Sequence, residues 1–143
     1  MDILTFVKLI CEDLSIVPPI VKYDNKKFNN NTQLATLVVE KNGRKILYLR
    51  KKYNDVVTMM VCIAHELRHK YQIDNSLFDT SAYQTSTVLS NRDYNLQDVE
   101  IDANAYAYVI MYDNFGIDVK FNGLGRDIVQ RIKKRAEKIR NEY

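Results

Sequence analysis

The chain has 143 residues, of which 46% are hydrophobic and 27% are charged, a balance typical of a soluble globular protein. This composition excludes a mainly disordered chain, and the length predicts a single domain over residues 1–143 that needs no disulfides. The net charge of +3 is too small to indicate nucleic-acid binding by itself. The longest apolar runs, residues 59–64 and 105–112, are far shorter than the roughly 20 residues that a membrane span needs.

The N-terminal segment predicts a helix and not an export signal. Residues 2–15 repeat apolar side chains at helical spacing, and Pro18 and Pro19 follow to end the helix. The segment lacks a basic start and a small-residue cleavage site. We therefore expect a cytoplasmic protein in which Cys11 and Cys62 are reduced thiols of the core.

The next segment predicts strands. Ile20–Tyr23 can form a short strand, and LATLVVEKNGRKILYLR has the pattern of a β-hairpin. Asn42-Gly43 suits a two-residue type I′ turn, which would place Glu40 opposite Lys45. One face of this predicted hairpin would carry Leu37, Val39, Ile46 and Tyr48, and the other Val38, Leu47 and Leu49.

A long helix is predicted after the hairpin, capped by Asn54 or Asp55 and ending near Gln72. Its first half is apolar on nearly all sides, which is typical of a helix in the middle of a domain. The polar segment 74–94 then predicts a functional or mobile connection, unless it contains a short element around residues 83–89.

Two further helices are predicted in the C-terminal part. The first covers about residues 96–112 and ends before Gly116, and residues 117–121 alternate like a strand or an extended linker. The second covers about residues 126–141. The order of elements predicts an α+β fold with an N-terminal helix, a small antiparallel sheet, a central helix and further C-terminal helices.

The only two histidines of the chain stand four residues apart in His65-Glu66-Leu67-Arg68-His69, an H-E-x-x-H motif. On a helix, two imidazoles at this spacing project within about 40° of each other, so both can reach one Zn²⁺. Glu66, about 100° further round, is placed to activate a zinc-bound water. Chance produces the motif in roughly one chain in a few hundred of this size, so a buried helix with two polar residues near its exposed end is the alternative.

A third ligand is predicted on the helix at 96–112. Glu100 shares a narrow helical face with Ala103, Asn104 and Ala107, whereas Asp102 points the opposite way. The alanines would allow a close approach to the H-E-x-x-H helix. Asn104 is either a hydrogen-bond partner that orients a zinc-bound histidine or an ordinary surface amide.

H-E-L-R-H followed by E-I-D-A-N-A-Y-A resembles the gluzincin metallopeptidases, and more narrowly the ImmA/IrrE family of small metallopeptidases common in phages and other mobile elements. The resemblance spans about residues 54–112. It implies a zincin-like domain in which His65, His69 and Glu100 bind Zn²⁺ and Glu66 is the catalytic residue. It also implies a protein or peptide substrate, for example a regulatory protein such as a phage repressor.

Two departures from the family pattern concern the subfamily and the substrate, and not the zinc site. Arg68 stands where the family often has glycine, and no proline follows Met111. The family chemistry is the hydrolysis of peptide bonds, for which a donor to the developing oxyanion is also needed. Arg92, Tyr94 and Tyr106 are the candidates for that donor, and the sequence does not choose among them.

Two other functions stay open. One is a non-catalytic binding or regulatory protein on a zincin scaffold, although zinc binding alone would not require Glu66. The other is a nucleic-acid-associated module that uses the C-terminal helix, which has seven basic residues between Arg126 and Arg140. Such a helix more often presents a solvated face, so we expect neither nucleic acid nor a membrane as a partner.

Overall fold

The structure, a computed structural model, describes residues 1–28, 32–79, 83–85 and 88–142. The chain divides into two compact units, Met1–Asn75 and Ser76–Tyr143. The fold is α+β, as predicted, with an N-terminal helix, a small three-stranded sheet and then several helices. No helix within the described ranges combines the length and the apolarity needed to cross a membrane.

The first unit begins with helix α1, Ile3–Leu14, which confirms the predicted N-terminal helix. The Asp2 carboxylate caps its start by accepting a hydrogen bond from the Thr5 amide at 2.9 Å. The helix ends at Ser15, whose φ of 54° lies in the left-handed region. Its buried face consists of Phe6, Val7, Ile10, Cys11 and Leu14.

Three strands follow: β1 (Ile20–Tyr23), β2 (Ala35–Val39) and β3 (Lys45–Leu49). Their order in the sheet is β1-β3-β2, with β1 parallel and β2 antiparallel to β3. The sheet is therefore mixed, whereas the sequence predicted a purely antiparallel sheet. A hairpin is recognisable from local sequence, whereas the partner of β1 depends on contacts between segments that are distant in the chain.

The predicted turn of the hairpin is wrong by one residue. Glu40 pairs with Arg44, whose carbonyl accepts from the Glu40 amide at 2.8 Å, and not with Lys45. The loop therefore has three residues, and Gly43 is its one residue with a positive φ, 84°. A type I′ turn would need a positive φ at Asn42 as well. Instead the Asn42 side chain accepts from the Arg44 amide at 2.9 Å, which stabilises the longer loop.

This shift changes which side chains share a face of the hairpin. Leu37 pairs with Leu47, and Val38 pairs with Ile46. Leu37 and Leu47 therefore lie on one face, and Val38 and Ile46 on the other, contrary to the predicted faces. Four of the five residues of β3 are buried, and Lys45 is the exception.

Helix α2, Val56–Asp74, is the predicted central helix and runs two residues beyond its expected end. Asp55 caps it, accepting a hydrogen bond from the Val57 amide at 3.0 Å. The helix packs against α1 and β2. Its fully buried side chains are Met59, Ile63, Ala64 and Leu67. The H-E-x-x-H motif thus lies on a helix that belongs to the core of the first unit.

The second unit contains α3 (Asn91–Leu96), α4 (Asp98–Phe115) and α5 (Arg126–Asn141). Helices α4 and α5 confirm the two predicted C-terminal helices, and Gly116 with φ 67° ends α4. The short element expected around residues 83–89 is displaced to α3. Residues 83–85 and 88–89 have no helix or strand, and 86–87 lie outside the described residues. Residues 117–121 form neither a helix nor a strand.

Asp102, which the helical wheel places away from the face of Glu100 and which we therefore expected to be exposed to solvent, is instead buried where α4 packs against α5. Its side chain is 0% exposed and accepts a hydrogen bond from Arg135 Nε at 2.8 Å. The helical wheel predicted that the Asp102 side chain points away from the Glu100 face, but it could not predict that another helix packs there. Helix α5 packs against α4, and its own buried residues are Ile128, Ile132, Ala136 and Ile139.

Candidate metal centre

The two histidines of α2 converge on one point. Their Nε2 atoms lie 3.1 Å apart, and their rings are nearly perpendicular, at 85° with centroids 4.7 Å apart. Two nitrogens bound to one tetrahedral Zn²⁺ at about 2.0–2.1 Å would lie roughly 3.3 Å from each other. The spacing of His65 and His69 therefore fits a shared ion.

Glu100 completes a His-His-Glu group. It lies in the first turn of α4, and its side chain is 1% exposed. One ligand atom from each of His65, His69 and Glu100 lies within 4.8 Å of the others. The three residues predicted as ligands are therefore close enough together to bind a metal ion.

A neighbour on the same helix orients the ring of His69. Gln72, which is 2% exposed, places its Oε1 2.8 Å from Nδ1 of His69. Because a carbonyl oxygen only accepts, this contact favours the tautomer with the proton on Nδ1 and the lone pair on Nε2, the atom that faces His65. Asn104 was one candidate for such a role, with an ordinary surface amide as the alternative. Gln72 was missed, although its spacing of three residues from His69 on one helix was a visible signal. Asn104 is half-buried on α4, and its role stays a prediction.

Glu66, the predicted catalytic residue, is only 9% exposed and is held from outside its own helix. Gln33 Nε2 donates a hydrogen bond to its Oε1 at 2.9 Å. The backbone of Gln33 is itself fixed, because its carbonyl accepts from Arg50 Nε at 2.6 Å. Gln33 was missed because no sequence pattern connects the residues before β2 with the middle of α2.

The three candidates for an oxyanion donor differ in their surroundings. Burial, together with the negative charge of Glu100, raises the pKa of Tyr94 far above its usual range, so this phenol keeps its proton. Arg92 is bound to Asp127, with Nη1 3.1 Å from Oδ1. Tyr106 is completely buried in α4. Of the three, Tyr94 is the one in contact with Glu100, and the oxyanion donor stays unassigned.

The two cysteines are free thiols, as expected for this chain. Burial raises the pKa of Cys11 to about 11 and also raises the pKa of Cys62. Metal binding by cysteine requires the thiolate, which burial disfavours. Cys62 is half-buried on α2 and is not part of the group formed by His65, His69 and Glu100.

Comparison with models of protein families gives no match for this chain, and neither curated proteins nor solved structures match it significantly. The resemblance to the ImmA/IrrE family, which rests on two short motifs, therefore stays a prediction. Only the geometry of the site indicates a function for this chain.

Proposed function

We propose that this chain is a zinc-dependent metallopeptidase that hydrolyses peptide bonds of a protein substrate. The observation that carries the proposal is the His65, His69 and Glu100 group, whose ligand atoms lie within 4.8 Å of one another. Glu66 lies on the same helix as both histidines, next to the first of them. Metal-assisted hydrolysis of a peptide uses such a combination, a metal group with an adjacent carboxylate as general base.

The donor set fits zinc. Two imidazole nitrogens and one carboxylate oxygen are typical zinc ligands, whereas magnesium and calcium favour oxygen ligands throughout. Three protein ligands are also the number found in catalytic zinc sites, which keep a fourth position open. Gln72 supports the assignment, because it holds His69 in the tautomer that a metal ligand needs.

Bound zinc would acidify the attacking water and polarise the carbonyl of the scissile bond. Glu66 acts as the general base: its carboxylate receives a proton from the water and passes it to the leaving amine. Gln33 holds Oε1 of Glu66, so the carboxylate keeps one orientation through the reaction. Strand β2 lies at an edge of the sheet and could pair with an extended peptide substrate.

The metal part of the proposal is tested by zinc content. Protein purified without added metal, reconstituted with zinc and desalted should hold one equivalent. Less than a tenth of an equivalent would overturn the proposal, and the two histidines would then be polar residues of a buried helix.

The catalytic part is tested with Glu66→Gln and a proteome-derived peptide library, with cleavage read by mass spectrometry. The variant should keep its zinc and its fold but lose at least about 100-fold in cleavage rate, because the general base is lost. Glu137→Gln, the same change at an exposed position of α5, should cleave like the parent. A parent that binds zinc and cuts no peptide would instead support the non-catalytic binding protein.

Nucleic acid is not favoured as a partner. Two of the basic residues of α5 are engaged within the second unit, Arg135 with Asp102 and Arg140 with Asp113 at 3.0 Å. Arg131, Lys134 and Lys138 are exposed, as on an ordinary solvated face. An affinity for DNA that falls steeply as the salt concentration rises would contradict this expectation.

A further inference from the structure

A tyrosine outside every predicted role contacts the proposed ligand Glu100. The Tyr83 hydroxyl donates a hydrogen bond to Glu100 Oε2 at 3.2 Å. The hydroxyl oxygens of Tyr83 and Tyr94 lie 3.4 Å apart, with ring centroids 6.4 Å apart. Tyr94 is itself hydrogen-bonded to the Glu100 side chain. The three side chains therefore form one hydrogen-bonded series around the carboxylate.

Gln97 anchors the chain beside Tyr83 to the start of α4. Its side-chain Oε1 accepts from the Gln84 amide, and its Nε2 donates to the Gln84 carbonyl, both at 2.9 Å. Its own carbonyl accepts from the Glu100 amide at 3.0 Å. One residue thus holds both the backbone next to Tyr83 and the helical turn that contains Glu100. Hydrogen bonds within the second unit therefore hold Tyr83 next to Glu100.

We infer that Tyr83 is a positioning residue for Glu100, whose hydroxyl fixes the orientation of the carboxylate toward the metal ion. This inference rests on the metal site of the proposed function. A carboxylate at the end of a glutamate side chain can rotate, and a donor on one oxygen limits that rotation before the ion arrives. Hydrogen-bond partners of metal ligands typically contribute about 10–100-fold to metal affinity. Tyr83, a residue of the polar connection at 74–94, then supports the metal centre through Glu100.

The test compares Tyr83→Phe with Tyr112→Phe. The first variant keeps the ring and removes the hydroxyl that contacts Glu100. The second removes a hydroxyl from a tyrosine of α4 that is 50% exposed. In zinc titrations against a competing chelator, Tyr83→Phe should bind about 10–100-fold more weakly than the parent. Tyr112→Phe should stay within about twofold of the parent, because it is an exposed hydroxyl with no part in the series.

Two further measurements separate positioning from general loss of structure. The visible spectrum of the Co²⁺-loaded protein reports the ligand arrangement, and it should change in Tyr83→Phe but not in Tyr112→Phe. Gln97→Leu keeps the Tyr83 hydroxyl but removes the anchor of its backbone, so it should also weaken zinc binding. Far-UV circular dichroism should be the same for all four proteins.

The possible failures are distinguishable. A parent that binds no zinc overturns the proposed function and this inference together. A parent that binds zinc, with Tyr83→Phe showing the same affinity and the same Co²⁺ spectrum, overturns only the positioning role. Normal zinc affinity in Gln97→Leu combined with a weakened Tyr83→Phe would restrict the inference to the hydroxyl and refute the anchoring by Gln97.

Discussion

The two buried carboxylates of α4 offer a sharp comparison, because they differ in role and not in burial. Glu100 and Asp102 are 1% and 0% exposed, two residues apart. We propose the first as a metal ligand, whereas the second binds Arg135. Glu100→Gln and Asp102→Asn each remove one negative charge with almost no change in shape. We expect the first to lose zinc and keep its stability, and the second to keep zinc and lose stability.

The structure sets the size of each effect. Removing one partner of a fully buried ion pair costs about 3–5 kcal/mol. The Arg135 side chain is 23% exposed and can still reach water, so the cost of Asp102→Asn should fall to about 1–3 kcal/mol. For a chain of this length that is roughly 3–12 °C in Tm. Glu100→Gln removes a ligand, so its loss of zinc affinity should exceed the roughly 10–100-fold that is typical of a supporting residue.

Zinc affinity is measured by competition with a chelator, and Tm by circular dichroism in excess EDTA. The chelator is needed because bound metal would itself raise Tm by mass action. If Asp102→Asn lost the metal and Glu100→Gln kept it, the assignment of the ligand on α4 would be refuted. An unchanged Tm in Asp102→Asn would refute the stabilising role of the pair with Arg135.

Two predictions concern the neighbours of the H-E-x-x-H residues. Gln72→Met should weaken zinc binding about 10–100-fold, because Nδ1 of His69 loses its acceptor. The control is Gln130→Met, the same change at an exposed position of α5. Equal zinc affinities of the two variants would count against the orienting role of Gln72. Gln33→Leu should keep one zinc per chain and cleave peptides more slowly than the parent. Combined with Glu66→Gln, it should lower the cleavage rate little further. Additive losses in the double variant would show that Gln33 acts independently of Glu66.

Local patterns in the sequence determined the helices and one side of the candidate site. Apolar spacing and caps such as Asp55 and Gly116 depend on residues within a few positions of each other, so α1, α2, α4 and α5 were predicted close to their observed bounds. The spacing of His65 and His69 likewise required that both imidazoles project from one side of α2. The ligand atoms of His65, His69 and Glu100 lie close enough together to bind a metal ion. Their roles as ligands, the identity of the metal and catalysis stay predictions.

Tertiary structure decided what depends on contacts between distant segments. The parallel pairing of β1 with β3 and the burial of Asp102 under α5 have no local signal, because solvation depends on which element arrives to cover a side chain. The hairpin loop has one residue more than predicted, and within it Gly43 but not Asn42 has a positive φ. The contacts of Gln33 with Glu66 and of Tyr83 with Glu100 join loop residues to helices. Hydrogen bonds of this kind need positions accurate to a few tenths of an ångström, which only the folded chain supplies.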